Sequence, residues 1–314
     1  MAMESVYKEA MAINTMDDLE KRREAAKAFF EKLNQMELPE YFNWAEEILE
    51  GLQAKERGDQ TAILWADMGT GEERRYTYKE LAAEGNRCLN FLRKHGIEQG
   101  QNMYMMIPIV PETWFATLAC LKGGLINVPT ATSMTVRELQ FRFENYAPDS
   151  IVAEETAAEA IDEALEATGA QPKIKIVLGK RDGWISYSEL ANESETAEGA
   201  RIKKDDVLIC FFTSGTTGLA KQVGHSAASY PLGICPRRPS SASAPAKSIT
   251  TCRRRAGPNG PGAAFSRPST WAPPWPVFIL RPSTPRPIWN MYPNTRSPHS
   301  APRPRHGGPL SGRI

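Results

Sequence analysis

Apolar and polar positions follow two different spacings over the first 233 residues. Residues 16–33 and 77–96 repeat apolar positions at helical intervals, and a Gly-Ile pair marks the end of the second segment. Continuous apolar runs at residues 103–107, 150–153 and 174–178 predict short buried strands. Helices that alternate with buried strands indicate an α/β fold, with a mostly parallel sheet covered on both faces.

Several apolar residues are expected to serve packing rather than chemistry. Trp44, Trp65 and Trp114 stand in apolar surroundings, and we expect them in the core or lining a groove. Residues 154–169 are rich in Ala and Glu, which predicts a helix that is exposed on the surface.

The cysteines indicate a reducing compartment. Cys88, Cys120 and Cys210 lie in apolar runs, and we expect all three to be buried packing residues. The chain has five cysteines but no C-x-x-C pair and no metal-ligand spacing of His and Cys. No signal-peptide pattern precedes the charged helix, and no apolar run approaches ~20 residues. We therefore expect a cytoplasmic protein without a membrane span.

The chemistry is concentrated where the buried strand predicted at residues 207–212 ends. The next nine residues, 213–221, form a loop of hydroxyls and glycines that Lys221 closes. Glycine lets the backbone approach ligand oxygens closely, successive backbone N–H groups form an anion site, and lysine adds a positive charge. The sequence thus predicts an irregular polyphosphate-binding loop. Its candidate ligand-binding residues are Thr213, Ser214, Gly215, Thr216, Thr217, Gly218 and Lys221.

Two better-known phosphate-binding loops do not fit this string. The P-loop requires Ser or Thr directly after its lysine, but Lys221 is followed by Gln222. The dinucleotide-binding fingerprint requires the order G-x-G-x-x-G, which Gly215-Thr216-Thr217-Gly218 lacks.

The string closely resembles the signature loop of the AMP-forming adenylating superfamily, which comprises acyl-CoA synthetases, luciferases and the adenylation domains of peptide synthetases. The resemblance extends from Phe212 to His225 and includes the Lys-x-Val-x-His ending. Ala220 replaces the proline that the family usually has, which leaves φ unconstrained but removes no phosphate donor. Upstream segments, such as Pro-Ile-Val-Pro-Glu-Thr-Trp at residues 108–114, resemble medium-chain or branched-chain acyl-CoA synthetases.

This resemblance covers residues 40–233 and implies an ATP-dependent carboxylate–CoA ligase. Its expected substrates are a short- or medium-chain acid, ATP and CoA, with Mg²⁺ as cofactor, and no specific nucleic acid is expected. The family's adenine loop, ribose-binding aspartate, hinge and catalytic lysine match no motif in residues 234–314. His225 corresponds to the histidine that closes the loop motif, where a structural role near the acyl pocket is favoured over acid–base catalysis.

Composition changes abruptly near Ile234. Residues 234–314 contain thirteen Lys and Arg and no Asp or Glu, and they hold 17 of the 24 prolines. Because the chain has 38 basic and 37 acidic residues in all, the preceding part carries 25 against 37, a balance of −12. We expect three parts: an N-terminal helical extension at 1–39, a partial AMP-binding domain at 40–233, and a disordered Pro-rich tail at 234–314.

The tail has a second interpretation, a frameshift after about Gly233. If one nucleotide is missing there, residues 249–252 permit His-Tyr-Asn-Met and residues 256–260 permit Gly-Trp-Ala-Lys-Trp in the original frame. Residues 297–305 permit Val-Thr-Thr-Phe-Cys-Ala-Pro-Pro-Thr. All three strings resemble downstream segments of acyl-CoA synthetases, in the family's order.

Three hypotheses follow from this sequence. The chain is a truncated acyl-CoA synthetase that is inactive as written, or an intact enzyme whose sequence contains an error. The third hypothesis is a non-enzymatic protein that binds through its basic tail.

Overall fold

The computed structural model describes residues 3–67, 70–214, 220–234, 249–250 and 277–281. The helices are α1 Met3–Asn14, α2 Leu19–Asn34, α3 Lys55–Arg57, α4 Tyr78–Lys94, α5 Pro111–Gly123, α6 Val136–Asn145, α7 Glu155–Thr168 and α8 Ser229–Ile234. The strands are β1 Thr61–Asp67, β2 Glu73–Thr77, β3 Asn102–Met106, β4 Ile126–Pro129, β5 Ser150–Glu154, β6 Ile174–Leu178, β7 Ile185–Ser186, β8 Val207–Ser214, β9 Ala220–Ser226, β10 Ile249–Thr250 and β11 Val277–Arg281. A π-helical segment, Ala45–Ala54, leads into α3, and a 3-10 segment, Tyr187–Asn192, follows β7.

Seven strands form the main sheet, in the order β7-β6-β5-β3-β4-β8-β9. Every neighbouring pair is parallel apart from β8 and β9, which are antiparallel. The predicted α/β fold with a mostly parallel sheet is therefore confirmed. Because parallel strands run in one direction, the carboxyl ends of β3, β4, β5 and β8 lie along the same edge.

Helices cover both faces of this sheet, and strand β3 shows why. Its five residues are all buried. Met103 and Met105 pack in the cluster formed with α4 and α5, whereas Tyr104 and Met106 pack in the cluster formed with α6 and α7. Alternate side chains of a strand point to opposite faces, so a strand covered on both faces is apolar throughout. The strands predicted at residues 103–107, 150–153 and 174–178 are present.

The exposed helix predicted at residues 154–169 is half buried, so that part of the prediction is wrong. Helix α7 places Ala157, Ala158, Ile161, Ala164 and Leu165 in the core. These residues recur at intervals of three and four, which creates one apolar stripe despite the many glutamates. Alanine was the misleading signal, because it is buried without penalty wherever a helix approaches a sheet closely.

Capping residues set the starts of the two long predicted helices. Asp18 accepts hydrogen bonds from the backbone N–H groups of Glu20 and Lys21, so α2 begins three residues after the predicted start at residue 16. Thr77 and Glu80 form a capping box at the start of α4, and this helix begins one residue after the predicted start at residue 77.

The tryptophans lie where the sequence predicts them. Trp44 and Trp65 are buried, and Trp114 packs half-buried against the same cluster. The indole N–H of Trp65 donates to the carbonyl of Ile109 at 2.9 Å, which ties β1 to the segment after β3. The predicted burial of Cys88, Cys120 and Cys210 is also confirmed.

A second sheet has the strand order β10-β11-β1-β2. Strands β1 and β2 are antiparallel, whereas β11 lies parallel to β1, with Ile63 opposite Val277. The sequence predicts little regular structure beyond about Ile234, and the described residues there are two short strands, of which β11 pairs with β1. The rest of the tail lies outside the described residues, so its disorder and the three-part division stay predictions.

Candidate functional site

Strands β8 and β9 form an antiparallel hairpin at the edge of the main sheet. The strand predicted at Val207–Phe212 is confirmed, but the irregular loop predicted at residues 213–221 is too long at both ends. Thr213 lies opposite Lys221, and Ser214 lies opposite Ala220, so these residues continue the ladder. The β-branched Thr213 suits a strand, and its hydroxyl donates to the carbonyl oxygen of Lys221 at 3.3 Å.

The structure brings together the two ends of the predicted phosphate-binding string. Thr213, Ser214 and Lys221 lie at the tip of the hairpin, whereas Gly215, Thr216, Thr217 and Gly218 lie outside the described residues. Lys221 is exposed and makes no ion pair with any described residue. Its side chain is therefore available to an anion at the tip, as a phosphate-binding lysine requires.

The hairpin tip lies at the edge where the parallel strands end. Strand β8 pairs with β4, with Asn127 opposite Ile209, so Thr213 and Ser214 at the carboxyl end of β8 lie at the same edge as Thr130, which follows β4. Ligands of open α/β sheets bind outside the carboxyl ends of the strands. This is the location at which a polyphosphate-binding loop is expected.

His225 packs in an aromatic cluster rather than facing a catalytic partner. Its ring lies 5.5 Å from that of Phe211 and 5.3 Å from that of Tyr230, edge-on in both cases. Such edge-to-face contacts stabilise a hairpin through packing. This geometry agrees with the structural role that the sequence favours, while proximity to an acyl pocket stays a prediction.

Arg142 is a residue near the hairpin that sequence reasoning missed. This residue of α6 is 7% exposed, and its Nη1 donates to the hydroxyl of Thr130 at 3.2 Å. Its guanidinium carbon lies 4.5 Å from the ring centroid of Phe212, the residue that precedes the candidate string. One signal could have found it, because Arg142 stands three positions after the buried Leu139, on the apolar face of α6.

The buried Arg142 guanidinium has a carboxylate in its surroundings but makes no direct ion pair with it. Burial lowers the pKa of Arg142, and the neighbouring Tyr104 and Glu138 act in the opposite direction. Glu138 is engaged elsewhere, since it accepts hydrogen bonds from the backbone and hydroxyl of Thr135 at 2.9 and 2.8 Å. Within the described part of the chain, Arg142 forms no ion pair.

A separate cleft opens at the opposite edge of the sheet. It has a volume of about 360 Å³, and Arg93, Ile97, Gln99 and Leu125 contribute to its lining. Ile97 and Leu125 precede β3 and β4, so the cleft lies near the amino ends of these strands. It is therefore not part of the candidate phosphate site.

Residues 3–67, 70–214, 220–234, 249–250 and 277–281 contain no group of three His, Cys, Asp or Glu side chains arranged to hold a metal ion. No helix in those same ranges is both long and apolar enough to span a membrane.

The amino-acid sequence is similar to those of known CoA ligases and acyl-CoA synthetases. The chain is 42% identical over 193 residues to 4-hydroxybutyrate–CoA ligase 1 of Metallosphaera sedula, covering 61% of this chain and 33% of that protein. It is 33% identical over 204 residues to the human mitochondrial acyl-coenzyme A synthetase ACSM5, covering 63% and 35%. The chain thus spans about a third of the length of these relatives.

Among solved structures, the luciferase-like enzyme of the mealworm Zophobas morio shares the fold. Its TM-score is 0.62 at 18% identity, and the match covers 78% of this chain and 56% of that one. The model of the family described as AMP-binding enzyme matches residues 52–236, which include the whole hairpin. With most of the sheet, both hairpin strands and the candidate phosphate string inside that match, the chain belongs to the AMP-binding enzyme family.

Proposed function

We propose that residues 40–233 are the first part of the adenylate-forming domain of an AMP-forming acyl-CoA synthetase, and that the hairpin tip binds the phosphates of ATP. One observation carries this proposal. A string of hydroxyls and glycines connects β8 to β9 at the carboxyl edge of a parallel sheet, with Thr213 opposite Lys221.

The proposed reaction has two steps. A carboxylate oxygen of the acid attacks the α-phosphorus of ATP and displaces pyrophosphate, which forms an acyl-adenylate. The thiol of CoA then attacks the acyl carbon, loses its proton and displaces AMP, which yields the acyl-CoA. The printed names of the relatives, which include a 4-hydroxybutyrate–CoA ligase, support a carboxylic acid as the substrate class.

This chain contributes donors for the triphosphate. Backbone N–H groups of the glycine-containing loop, the hydroxyls of Thr213, Ser214, Thr216 and Thr217, and the ammonium group of Lys221 bind anionic oxygens. When bound, Mg²⁺ neutralises phosphate charge that develops during the displacement. The loop hydroxyls and the phosphate oxygens of ATP would hold Mg²⁺, because they are the hard oxygen ligands that it prefers.

We further propose that the chain as written forms no acyl-CoA, although its parent with the frame restored does. The family match ends at residue 236, close to the point where acidic residues disappear and prolines accumulate. Phosphate contacts alone supply ground-state binding, whereas rate requires groups that act in the transition state. No motif in residues 234–314 supplies such groups.

Binding of ATP in the presence of Mg²⁺ tests the site. We expect weak binding to the 314-residue chain, measured by calorimetry, and Lys221→Ala should weaken it by about 1–3 kcal/mol, the usual contribution of a charge-assisted hydrogen bond. Lys27→Ala is the matched control, because Lys27 is an exposed lysine on α2. Equal affinity of the Lys221→Ala variant and the wild-type chain would contradict the proposed site.

Release of pyrophosphate tests the activity. The substrates to be supplied are butyrate, 4-hydroxybutyrate, 2-methylbutyrate, hexanoate and octanoate, each with ATP and CoA. We expect turnover only after one base is inserted near codon 234. Turnover by the chain as written that Lys221→Ala abolishes would instead favour an intact enzyme, and resequencing the codons around Gly233 separates a real frameshift from a sequence error.

The basic tail supports one competing function. Thirteen Lys and Arg with no Asp or Glu in residues 234–314 form a strong positive charge, which attracts nucleic acids non-specifically. A binding function for the tail predicts salt-sensitive retention of nucleic acid that disappears when residues 234–314 are removed. Salt-independent or undetectable retention excludes it.

A further inference from the structure

An extended segment, residues 193–198, lies across one face of helix α4, and we call it the strap. It has no regular secondary structure, and none of its residues is buried. Side chains of α4 that recur at helical spacing hold it in place. They are Asn86, Arg87, Asn90, Arg93 and Lys94.

Amide and guanidinium groups of α4 bind the backbone of the strap. Asn90 Nδ2 donates to the carbonyl oxygens of Ser194 and Thr196 at 3.0 and 2.9 Å. Two further side chains donate to carbonyl oxygens of the strap at 2.9 and 2.7 Å, namely Asn86 to Glu195 and Arg93 to Glu198. These bonds fix the path of the chain without burying apolar surface.

Two ion pairs add to these contacts, and solvent reaches both. Arg87 Nη2 lies 2.6 Å from Glu195 Oε1, and Lys94 Nζ lies 2.7 Å from Glu193 Oε1. Pairs that are open to solvent contribute little to stability and are screened by salt. Ala197 packs half-buried against the core under α4. The strap is therefore held mainly by polar contacts.

Both ends of the strap are fixed more firmly than its middle. Leu190, before the strap, is 3% exposed in the core. After the strap, the backbone N–H of Ala200 donates to the last turn of α5 at 2.8 Å, and Ile202 is 1% exposed. Gly199 lies between the strap and this second anchor. A Cβ at Gly199 would meet the carboxylate of Glu46, so the position suits glycine, whose backbone rotates most freely.

We propose that the strap is a latch, which opens from α4 as a unit about Gly199 while its two anchors and the rest of the fold stay in place. Segments with few buried apolar contacts open at a lower free energy than the core. Opening uncovers the face of α4 that otherwise binds the strap. The inference is independent of phosphate binding by the hairpin, because β8 begins beyond the anchor at Ile202.

Hydrogen exchange of the full 314-residue chain, read by mass spectrometry at low urea concentrations, measures the opening. In the competing explanation the strap is an integral part of the fold, and its amides exchange only when the whole chain unfolds, as those of β3 do. We expect the amides of residues 194–198 to exchange at least about 10-fold faster than those of β3, and at least about 10-fold slower than those of a free peptide of the same sequence. Their rate should depend little on urea, because a local opening exposes little surface.

The variant Asn90→Ala tests what holds the latch closed. It removes two hydrogen bonds to the strap, so exchange of residues 194–198 should accelerate about 10- to 100-fold. The urea midpoint of the whole chain should stay the same or rise, because alanine favours a helix more than asparagine does. Asn145→Ala is the matched control, since Asn145 is exposed on α6 and donates to the carbonyl of Phe141 in its own helix.

A second variant keeps the test decisive if Asn90→Ala does not fold. Glu195→Gln removes the ion pair with Arg87 and should accelerate exchange of the strap about two- to fivefold. Exchange of the wild-type strap at the rate of β3 or at that of the free peptide overturns the latch, because the strap would then open only with the whole fold or would not be docked. Equal strap exchange in Asn90→Ala and Asn145→Ala, or a large fall in the urea midpoint of Asn90→Ala alone, also contradicts it.

Discussion

Two buried cations on opposite sides of the main sheet have very different surroundings. Lys122 of α5 is 3% exposed, and its Nζ lies 2.6 Å from Glu50 Oε1 and 2.9 Å from Asn86 Oδ1. Arg142 of α6 is 7% exposed and contacts a hydroxyl and an aromatic ring, and it forms no ion pair with any described residue, although the charge of Glu138 acts on it.

Lys122 is held by a carboxylate and an amide, whereas Arg142 has a single hydroxyl as its described hydrogen-bond partner. The Lys122 network extends further, because Asn86 also donates to the carbonyl of Glu195, and the carbonyl of Lys122 accepts from the side chain of Asn43. These contacts join α4, α5 and the π-helical segment to residues distant in sequence. Among the described residues, Arg142 has one side-chain hydrogen bond, to the Thr130 hydroxyl, and no comparable network.

The largest effect is expected from Lys122→Met. This substitution keeps most of the side-chain volume but leaves the half-buried Glu50 without its cation, which should cost about 2–4 kcal/mol, less than for a fully buried pair. Urea unfolding measures the loss. Lys79→Met is the control, because Lys79 forms an exposed pair with Asp59 at 2.9 Å, and such a pair is worth about 0–1 kcal/mol. Equal losses in the two variants would remove the basis of the comparison.

The close packing of α4 on α5 gives the next largest effect. A Cβ on Gly85 would lie 2.9 Å from the Cβ of Leu118, so Gly85→Val should lower the free energy of unfolding by about 1–3 kcal/mol. Combining it with Leu118→Gly, which removes that Cβ, tests the cause. We expect the double variant to lose less than the sum of the two single variants, and strict additivity would show that the two residues do not compete for space.

The two faces of the main sheet also differ in the pKa of a buried cysteine thiol, Cys88 on one face and Cys210 on the other. Burial raises the pKa of Cys88 from 9.0 to about 12, so above pH 9 the unfolded chain releases this proton before the folded chain does. Stability should therefore fall as pH rises from 9 towards 12, by about 1 kcal/mol at pH 10, and Cys88→Ala should remove that part of the loss.

Cys210 is the matched thiol on the other side. Burial raises its pKa as well, but Arg142 lowers it and partly opposes the shift. We expect Cys210→Ala to change the alkaline loss of stability less than Cys88→Ala does, as measured by urea unfolding at pH 8, 9 and 10. A larger change for Cys210→Ala would contradict the proximity of the Arg142 charge.

The smallest effect is expected from Arg142→Met in the absence of ligand. Because it removes an unpaired buried charge, the free energy of unfolding should stay within about 1 kcal/mol of wild type or rise. Methionine is also the replacement in Lys122→Met, so the two variants compare directly how much each buried cation contributes to stability. A loss for Arg142→Met as large as that for Lys122→Met would assign both cations to the stability of the fold.

The local sequence pattern was sufficient to predict most helices and strands and the type of chemistry. The strands at 103–107, 150–153 and 174–178 follow from apolar runs, and the helix at 77–96 follows from its spacing and its Gly-Ile stop. The string from Thr213 to Lys221 predicts phosphate binding and the family, because the residue types that contact phosphate are adjacent in the chain. Such features can be predicted from sequence because they depend only on residues that are close together in the chain.

The environment of the charged residues was decided by the tertiary structure. Lys122 and Glu50 are 72 residues apart, and the spacing of α6 places Arg142 on an apolar face without indicating which residues it contacts. The order of strands brings β4 beside β8, so that Thr130 and Phe212 meet Arg142. Whether a charge is buried and paired depends on which distant segments surround it, and only the completed sheet brings those segments together.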